Sequence, residues 1–341
     1  MYRASPCGWI LAGILPLASQ IGNLYDNFPL SGQGSNSTLL VGDFHDIMQR
    51  MFRLKEAHIT IVGLGLMGGS LALGLRPHVE RITAVDLDGE TRALAMGEGL
   101  VERATADLGS GLQGANLVVL ATPVGGILRV LEQLPALRPD GCYVLDLGST
   151  KGDICQAMNR LPGDFAAIGG HPMCGKETSG LPAAEATLFR DQTFVLCRTQ
   201  RTTEALEVAV LSLLQALEAR PLFLAPQQHD RLVGLVSHLP YLIASLLMAQ
   251  VSAHAAEQGH TWQVSSSGFR DTTRLAGSDP GMMADIVRTN RTAITTWLRQ
   301  YGERLDDLVQ MLDNDDDEGL YEWLKARQGE HHAYRRQKQD R

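Results

Sequence analysis

The stretch that decides the fold is His58-Ile59-Thr60-Ile61-Val62-Gly63-Leu64-Gly65-Leu66-Met67-Gly68-Gly69-Ser70. Its first five residues are a β-branched run that reads as a buried strand. A GxGxxG turn follows, and the apolar segment Ser70–Leu75 then reads as a helix. Each glycine has a mechanical job: Gly63 permits the tight turn, Gly65 lets backbone approach a pyrophosphate, and Gly68 allows helix and strand to pack closely. A helix opening there aims free N–H groups and the positive end of its dipole at a phosphate. Asp86 closes the next β-type run, Arg81–Asp86, where an acid can accept from ribose hydroxyls. Gly63, Gly65, Leu66, Met67, Gly68 and Asp86 are therefore the expected dinucleotide residues, with a merely structural glycine turn as the alternative. Asp86 would repel a 2′-phosphate, and Leu87-Asp88-Gly89 supply no arginine, so NAD is expected over NADP; Arg92 is the nearest cation that could rescue a phosphate.

Outward from this turn the chain keeps a strand–helix rhythm. Leu117–Thr122, Tyr143–Leu147, Ala166–Gly169, Thr193–Cys197 and Pro221–Leu224 read as strands, and Gly89–Glu98 as a helix. That alternation predicts an α/β fold, a Rossmann-type doubly wound, mostly parallel sheet. Thr122-Pro123 closes one strand and is either a plain turn or a nicotinamide contact. Past Pro226 the pattern becomes helical, over Asp230–Ser252 and Met283–Leu312. In the second stretch Ile286, Ile294, Trp297, Leu298, Tyr301, Leu305, Leu308 and Leu312 recur at three- and four-residue steps, a stripe that suits a core or a dimer seam. The expected organisation is a Rossmann domain over 54–226, an all-helical C-terminal domain over 227–326 for substrate and dimerisation, and a polar, fraying tail over 327–341. Residues 1–53 read as a disordered arm or an over-long reading of the gene, with translation starting near Met48 or Met51.

Composition narrows the function classes. The 341 residues are 44% apolar and 20% charged, enough to bury a sizeable core. Thirty Lys+Arg against 38 Asp+Glu give a net charge of −8, which argues against a nucleic-acid or polybasic membrane surface. No apolar run is expected to reach the roughly 20 residues of a spanning helix. Cys7, Cys142, Cys155, Cys174 and Cys197 form no CxxC pair, which suits free thiols in the cytoplasm and no metal centre.

Several segments are unusually polar for strand ends and buried helices. They are Asp146-Leu147-Gly148-Ser149-Thr150-Lys151-Gly152, Gly169-Gly170-His171-Pro172-Met173-Cys174-Gly175-Lys176-Glu177, His229-Asp230, Ser237-His238-Leu239-Pro240-Tyr241 and Phe269-Arg270-Asp271-Thr272-Thr273-Arg274. Taken in order with the glycine turn, from about Ala57 to Ala326, this set resembles the prephenate/arogenate dehydrogenase family of tyrosine biosynthesis. The resemblance implies NAD-dependent oxidative decarboxylation: hydride leaves a cyclohexadienol carbinol carbon, the hydroxyl proton goes to a base, and a ring carboxylate departs as CO2. Prephenate would give 4-hydroxyphenylpyruvate and arogenate would give tyrosine. Two other readings stay open, a relative acting on 4-amino-4-deoxyprephenate and a non-catalytic NAD-binding protein on the same fold.

The residues fit that chemistry. A base titrating near neutrality is most simply a histidine, and His171 is expected in a Gly-flanked turn after the strand Ala166–Gly169. Ser149 is expected to hold the substrate alcohol or orient the histidine, as its family counterpart is thought to do, or to cap a helix starting at Thr150 or Lys151. A polyanionic substrate needs a local cation. Arg274 is the first choice and Arg270, four residues before it, the second, although one of them can instead pair with Asp271 or Asp279. His238 and Tyr241 share a helix face and are expected at the pocket border; many family members carry histidine where Tyr241 stands. In the family the region of Lys176 and Glu177 helps to distinguish a keto-acid from an amino-acid side chain. His229 is expected to cap the following helix or touch the substrate, Cys174 to pack, and Lys151 to be solvated.

Overall fold

The computed structural model describes residues 53–257 and 259–339. All but the last residue of the expected N-terminal extension lie outside these, as does Cys7. Strand β1 (His58–Val62) has every side chain buried, as its β-branched run requires. It pairs in parallel with β2 (Arg81–Val85) and β4 (Leu117–Leu120), with Val62 opposite Val85 on one side and Leu120 on the other. The full order is β3-β2-β1-β4-β5-β6-β7-β8, with β3 at Arg103–Thr105, β5 at Tyr143–Asp146, β6 at Ala166–Pro172, β7 at Thr193–Arg198 and β8 at Arg220–Phe223. Only β6 and β7 pair antiparallel. The doubly wound, mostly parallel sheet is thus as the sequence rhythm predicts, except that the three-residue β3 carries no apolar run to announce it.

Connections run outward from β1 to β3 and then return to β4. Right-handed crossovers therefore place the helices of the two halves on opposite faces and open a crevice where the order reverses, between β1 and β4. Helix α1 is Leu66–Leu75, α2 Gly89–Gly97, α3 Leu108–Gly111, α4 Val124–Leu137, α5 Gly152–Asn159 and α6 Glu204–Ala216. Ile127 and Leu131 of α4 and Ile154 and Met158 of α5 join Val62 and Leu120 in one buried cluster.

Beyond β8 the chain is helical. Helix α7 (Pro226–Val233) runs through a π-helical turn, Gly234–His238, into α8 (Leu239–Glu257). Together these make a continuous helix of 32 residues, Pro226–Glu257, long and apolar enough by length and composition to cross a membrane, with only 28% of its most apolar window buried. This corrects the expectation that no such run exists. The expected helix over Met283–Leu312 is in fact two, α10 (Pro280–Thr289) and α11 (Arg291–Asp313), broken at Asn290. The break frees the Asn290 side chain for buried bonds described below. Helix α9 is Ser267–Thr273 and leads into a 3₁₀ turn, Arg274–Gly277. Helix α12 (Asp317–Gln339) continues through residues expected to fray; its ion pairs Lys325–Glu322 and Arg327–Glu330 support it locally.

Candidate active site

The glycine turn is built as a cradle. Gly63 sits at φ +96°, a region costly for any side chain, and a Cβ there would also press on Thr122 and Ala121. A Cβ on Gly68 would lie 1.9 Å from the Gly63 carbonyl oxygen, whereas one on Gly65 would meet nothing within 4 Å. The turn is therefore closed toward the sheet and open toward the crevice. Asp86 fixes it from the side: its Oδ2 accepts from the Leu64 N–H at 2.7 Å and its Oδ1 from the Asp88 N–H at 2.9 Å. Arg92 is turned to the Asp86 carbonyl oxygen at 2.7 Å.

Helix N-termini separate the sites further. α2, α3 and α6 are capped locally by Asp88, Asp107 and Thr203. α4 and α5 are capped from the helical half of the chain: Asp285 Oδ2 accepts from the Gly125 N–H at 2.9 Å, and Asp230 accepts from the N–H groups of Lys151 and Gly152 at 2.7 and 2.8 Å. α1 alone among these has no side-chain cap and no carboxylate at its first turn. Its open N–H groups and an unobstructed Gly65 fit a pyrophosphate, and Asp86 stands at the strand end beside it. Leu66, Met67 and Gly68 lie on that first turn. Thr122 and Pro123 lie across the crevice, where Thr122 packs on Gly63 and Pro123 is the residue that precedes α4.

The polar segments converge at the same sheet edge. His171 lies within β6, opposite Val195 of β7, rather than in a turn after it. The extra length arises because β7 pairs along the whole of Ile168–Pro172. Beneath it, the Asp146–Lys151 ion pair is completely buried, so Lys151 is not the solvated residue expected. Asp146 Oδ1 accepts from the Gly170 N–H at 3.1 Å, and the Lys151 ammonium donates to the Gly170 carbonyl at 2.6 Å. The pair thus grips both polar groups of the residue before His171. Burial pushes the Asp146 carboxyl above its usual range, against the opposing pull of Lys151.

His171 Nδ1 lies 2.8 Å from His229 Nε2, and His229 Nδ1 lies 2.8 Å from Asp230 Oδ1. His229 is 0% exposed, which removes the expected substrate contact, and the side chain that caps a helix is its neighbour Asp230. His238 is 2% exposed and its Nδ1 meets Asn290 Nδ2 at 3.1 Å, while Asn290 also donates to the Asp230 carbonyl at 2.7 Å. His238 therefore supports the buried network rather than bordering an open pocket, and Tyr241, one turn on, is half-buried. Burial above all, with the Lys151 ammonium beside it, holds the partly accessible His171 imidazole well below its ordinary value. Burial also takes His238 down to about 4.

Ser149 is half-buried and does not cap α5, since that helix starts at Gly152 and Asp230 takes its first N–H groups. Parallel pairing of β5 and β6, with Leu145 opposite Ile168, brings Ser149 and His171 to one edge of the sheet. Arg274 donates to Glu177 at 3.0 Å, joining the segment after α9 to the loop after β6, and both side chains are exposed. Arg270 pairs instead with its neighbour Asp271 on an exposed surface, one of the structural pairings foreseen for it. Burial pushes the Cys174 thiol up to about 11, consistent with simple packing. Among the described residues, no cluster of His, Cys, Asp and Glu could hold a metal ion.

Two family models match the chain in tandem: "Prephenate dehydrogenase, nucleotide-binding domain" over residues 71–222 and "Prephenate dehydrogenase, dimerization domain" over 225–326. The prephenate dehydrogenase of Bacillus subtilis is 30% identical over 282 residues, covering 81% of this chain and 75% of that protein. The chain belongs to the prephenate dehydrogenase family. It is an NAD-dependent dehydrogenase with the nucleotide-binding half at its sheet. Two solved family structures superpose well. One is prephenate dehydrogenase from A. aeolicus in complex with hydroxyphenyl propionate and NAD+, at TM-score 0.75 and 27% identity over 80% of this chain and 96% of that one. The other is Synechocystis arogenate dehydrogenase, at TM-score 0.70 and 31% identity over 81% and 99%.

Sequence reasoning did not foresee the buried bonds made by Asp230, Asn290, Asp285 and the Asp146–Lys151 pair. The local signals were the DxGSxKG spacing, which sets an acid and a lysine on either side of a strand–helix turn, and the polar pair His229-Asp230.

Proposed function

We propose that the chain oxidatively decarboxylates prephenate or arogenate with NAD, and that His171 is the base that takes the ring hydroxyl proton. The observation that carries this reading is a partly accessible imidazole, kept neutral by burial and the nearby Lys151 ammonium, at the sheet edge that also presents the glycine cradle. A neutral imidazole is the form a base needs at the start of the step. The dinucleotide, held by Gly63, Gly65, Leu66, Met67, Gly68 and Asp86, supplies the hydride acceptor. Thr122 and Pro123 line the nicotinamide end of the crevice. Ser149 holds the substrate hydroxyl against His171, and Arg274 receives a substrate carboxylate, exchanging Glu177 for it. Tyr241 and Glu177 border the side-chain end of the substrate. His171→Asn is expected to lower kcat roughly 10²–10⁴-fold with KM largely kept, measured with each substrate and NAD. A near-normal kcat removes His171 from the mechanism. Turnover of neither substrate, with NADH still bound, favours the amino analogue or a binding role.

The same reading makes the protein a homodimer. In α8 only Leu239 and Ala244 are buried, and Val236, Leu246, Leu305 and Leu312 stand exposed on the helical half. So much apolar helix surface needs a cover, and a second copy through this half is the one proposed, in the cytoplasm, where the unpaired Cys142, Cys155, Cys174 and Cys197 stay reduced. Sedimentation should give a dimer, and Leu246→Glu a monomer; a monomeric parent chain at micromolar concentration contradicts this.

A further inference from the structure

His229 and Asp230 have no task in the chemistry above, yet the His229 ring is completely enclosed and Asp230 is buried beside it. Asp230 receives the Lys151 N–H and faces His229 Nδ1 through Oδ1, at 2.7 and 2.8 Å, and receives the Gly152 N–H through Oδ2 at 2.8 Å. Backbone N–H groups can only donate, so both oxygens are committed as acceptors and His229 Nδ1 must carry the hydrogen that faces them. A neutral His229 then has its lone pair on Nε2, the atom 2.8 Å from His171 Nδ1. The hydrogen between the two rings must come from His171. The rings meet edge-on, with an interplanar angle of 69° and centroids 5.0 Å apart, an orientation suited to one N–H···N bond rather than stacking.

We propose that Asp230 and His229 are positioning residues that fix the tautomer of His171, with its hydrogen on Nδ1 and its lone pair on Nε2 facing the substrate. This rests on the reading of His171 as the base. When the substrate O–H bond breaks, the proton binds Nε2 and the electron pair stays on oxygen. The resulting imidazolium keeps donating through Nδ1 to His229, whose dipole Asp230 has oriented. No proton needs to pass beyond His171, the division of labour by which a buried acid orients a catalytic histidine elsewhere. Asp230 also caps α5, whose preceding turn carries Ser149. One carboxylate from the helical half thus sets both the base and the turn that carries the hydroxyl.

The charged and titratable groups around His171 are His229 from α7, with Asp230 behind it, Lys151 from the β5–α5 turn, with Asp146 at the end of β5 behind it, and His238 from the π-helical turn. Removing His229 takes away the acceptor that stabilises the imidazolium. His229→Leu should therefore lower kcat about 10²–10⁴-fold with KM within a few-fold, and move the acid limb of kcat/KM to lower pH. His229→Gln, which can accept from His171 and donate to Asp230, should recover much of the loss. If the acid limb moves to higher pH instead, His229 is a cation donating to His171 and the proposal fails.

A second readout needs no turnover. In ¹⁵N imidazole spectra of the full chain, with the His171 signals assigned by their loss in His171→Asn, Nδ1 should be protonated and Nε2 bare at neutral pH. Nε2 protonated and Nδ1 bare overturns the proposal. The two readings fail separately: His171→Asn with normal kcat removes the base whatever the tautomer, and a reversed tautomer removes the relay whatever the base.

Discussion

The sheet half and the helical half solve the same problem in opposite ways. In the sheet half the apolar residues of β1, β4, α4 and α5 are buried against one another, and the strand order itself supplies the crevice. In the helical half α8 is apolar but buries only Leu239 and Ala244, and α11 leaves Tyr301, Leu305, Val309 and Leu312 exposed. The buried polar side chains Asp230, His229, His238 and Asn290 of the helical half are spent on the sheet half and on one another. One half therefore carries its own core. The other carries an outward apolar surface and an inward polar clamp on the sheet edge.

Breaking the buried pair under His171 should give the largest effect on stability. Lys151→Met leaves Asp146 buried without its partner and is expected to cost about 3–5 kcal/mol, read by urea unfolding; adding Asp146→Leu should recover part of it. A loss below 1 kcal/mol would mean the pair is dispensable to the sheet half. Acid tests the clamp next. His238 titrates near 4 in the fold and near 6.5 when unfolded, so its contribution is complete above pH 6.5 and declines as pH falls toward 4. The expected loss is about 3 kcal/mol, and His238→Asn should flatten that part of the stability–pH curve; an unchanged slope would place the acid sensitivity elsewhere. The smallest effect belongs to the outer cap. Asp285→Ala removes the acceptor for the Gly125 N–H and should cost about 0.5–2 kcal/mol in thermal unfolding. No change there would mean α4 needs no help from the helical half.

Much of the fold was legible because its signals are local. The run His58–Val62, the spacing of Gly63, Gly65 and Gly68, and an acid at position 86 each follow from backbone geometry within a few residues. The three-residue β3 was missed because too few side chains carry its pattern. The continuous helix expected across Asn290 failed for the opposite reason: the apolar stripe continues, but the chain breaks at Asn290, whose amide then bonds the Asp230 carbonyl and His238. At the site, the polar segments were visible, but their division of labour was not. His229 and His238 looked like ligand contacts because buried and exposed histidines are spelled the same way.

The sequence alone determined that a strand, a glycine turn and a helix would follow one another here, since those constraints act between neighbours in the chain. Tertiary structure decided which histidine stays partly accessible and which is enclosed behind it. That choice depends on hydrogen bonds spanning 58 residues from His171 to His229 and 79 from Lys151 to Asp230, and only packing brings such groups within reach.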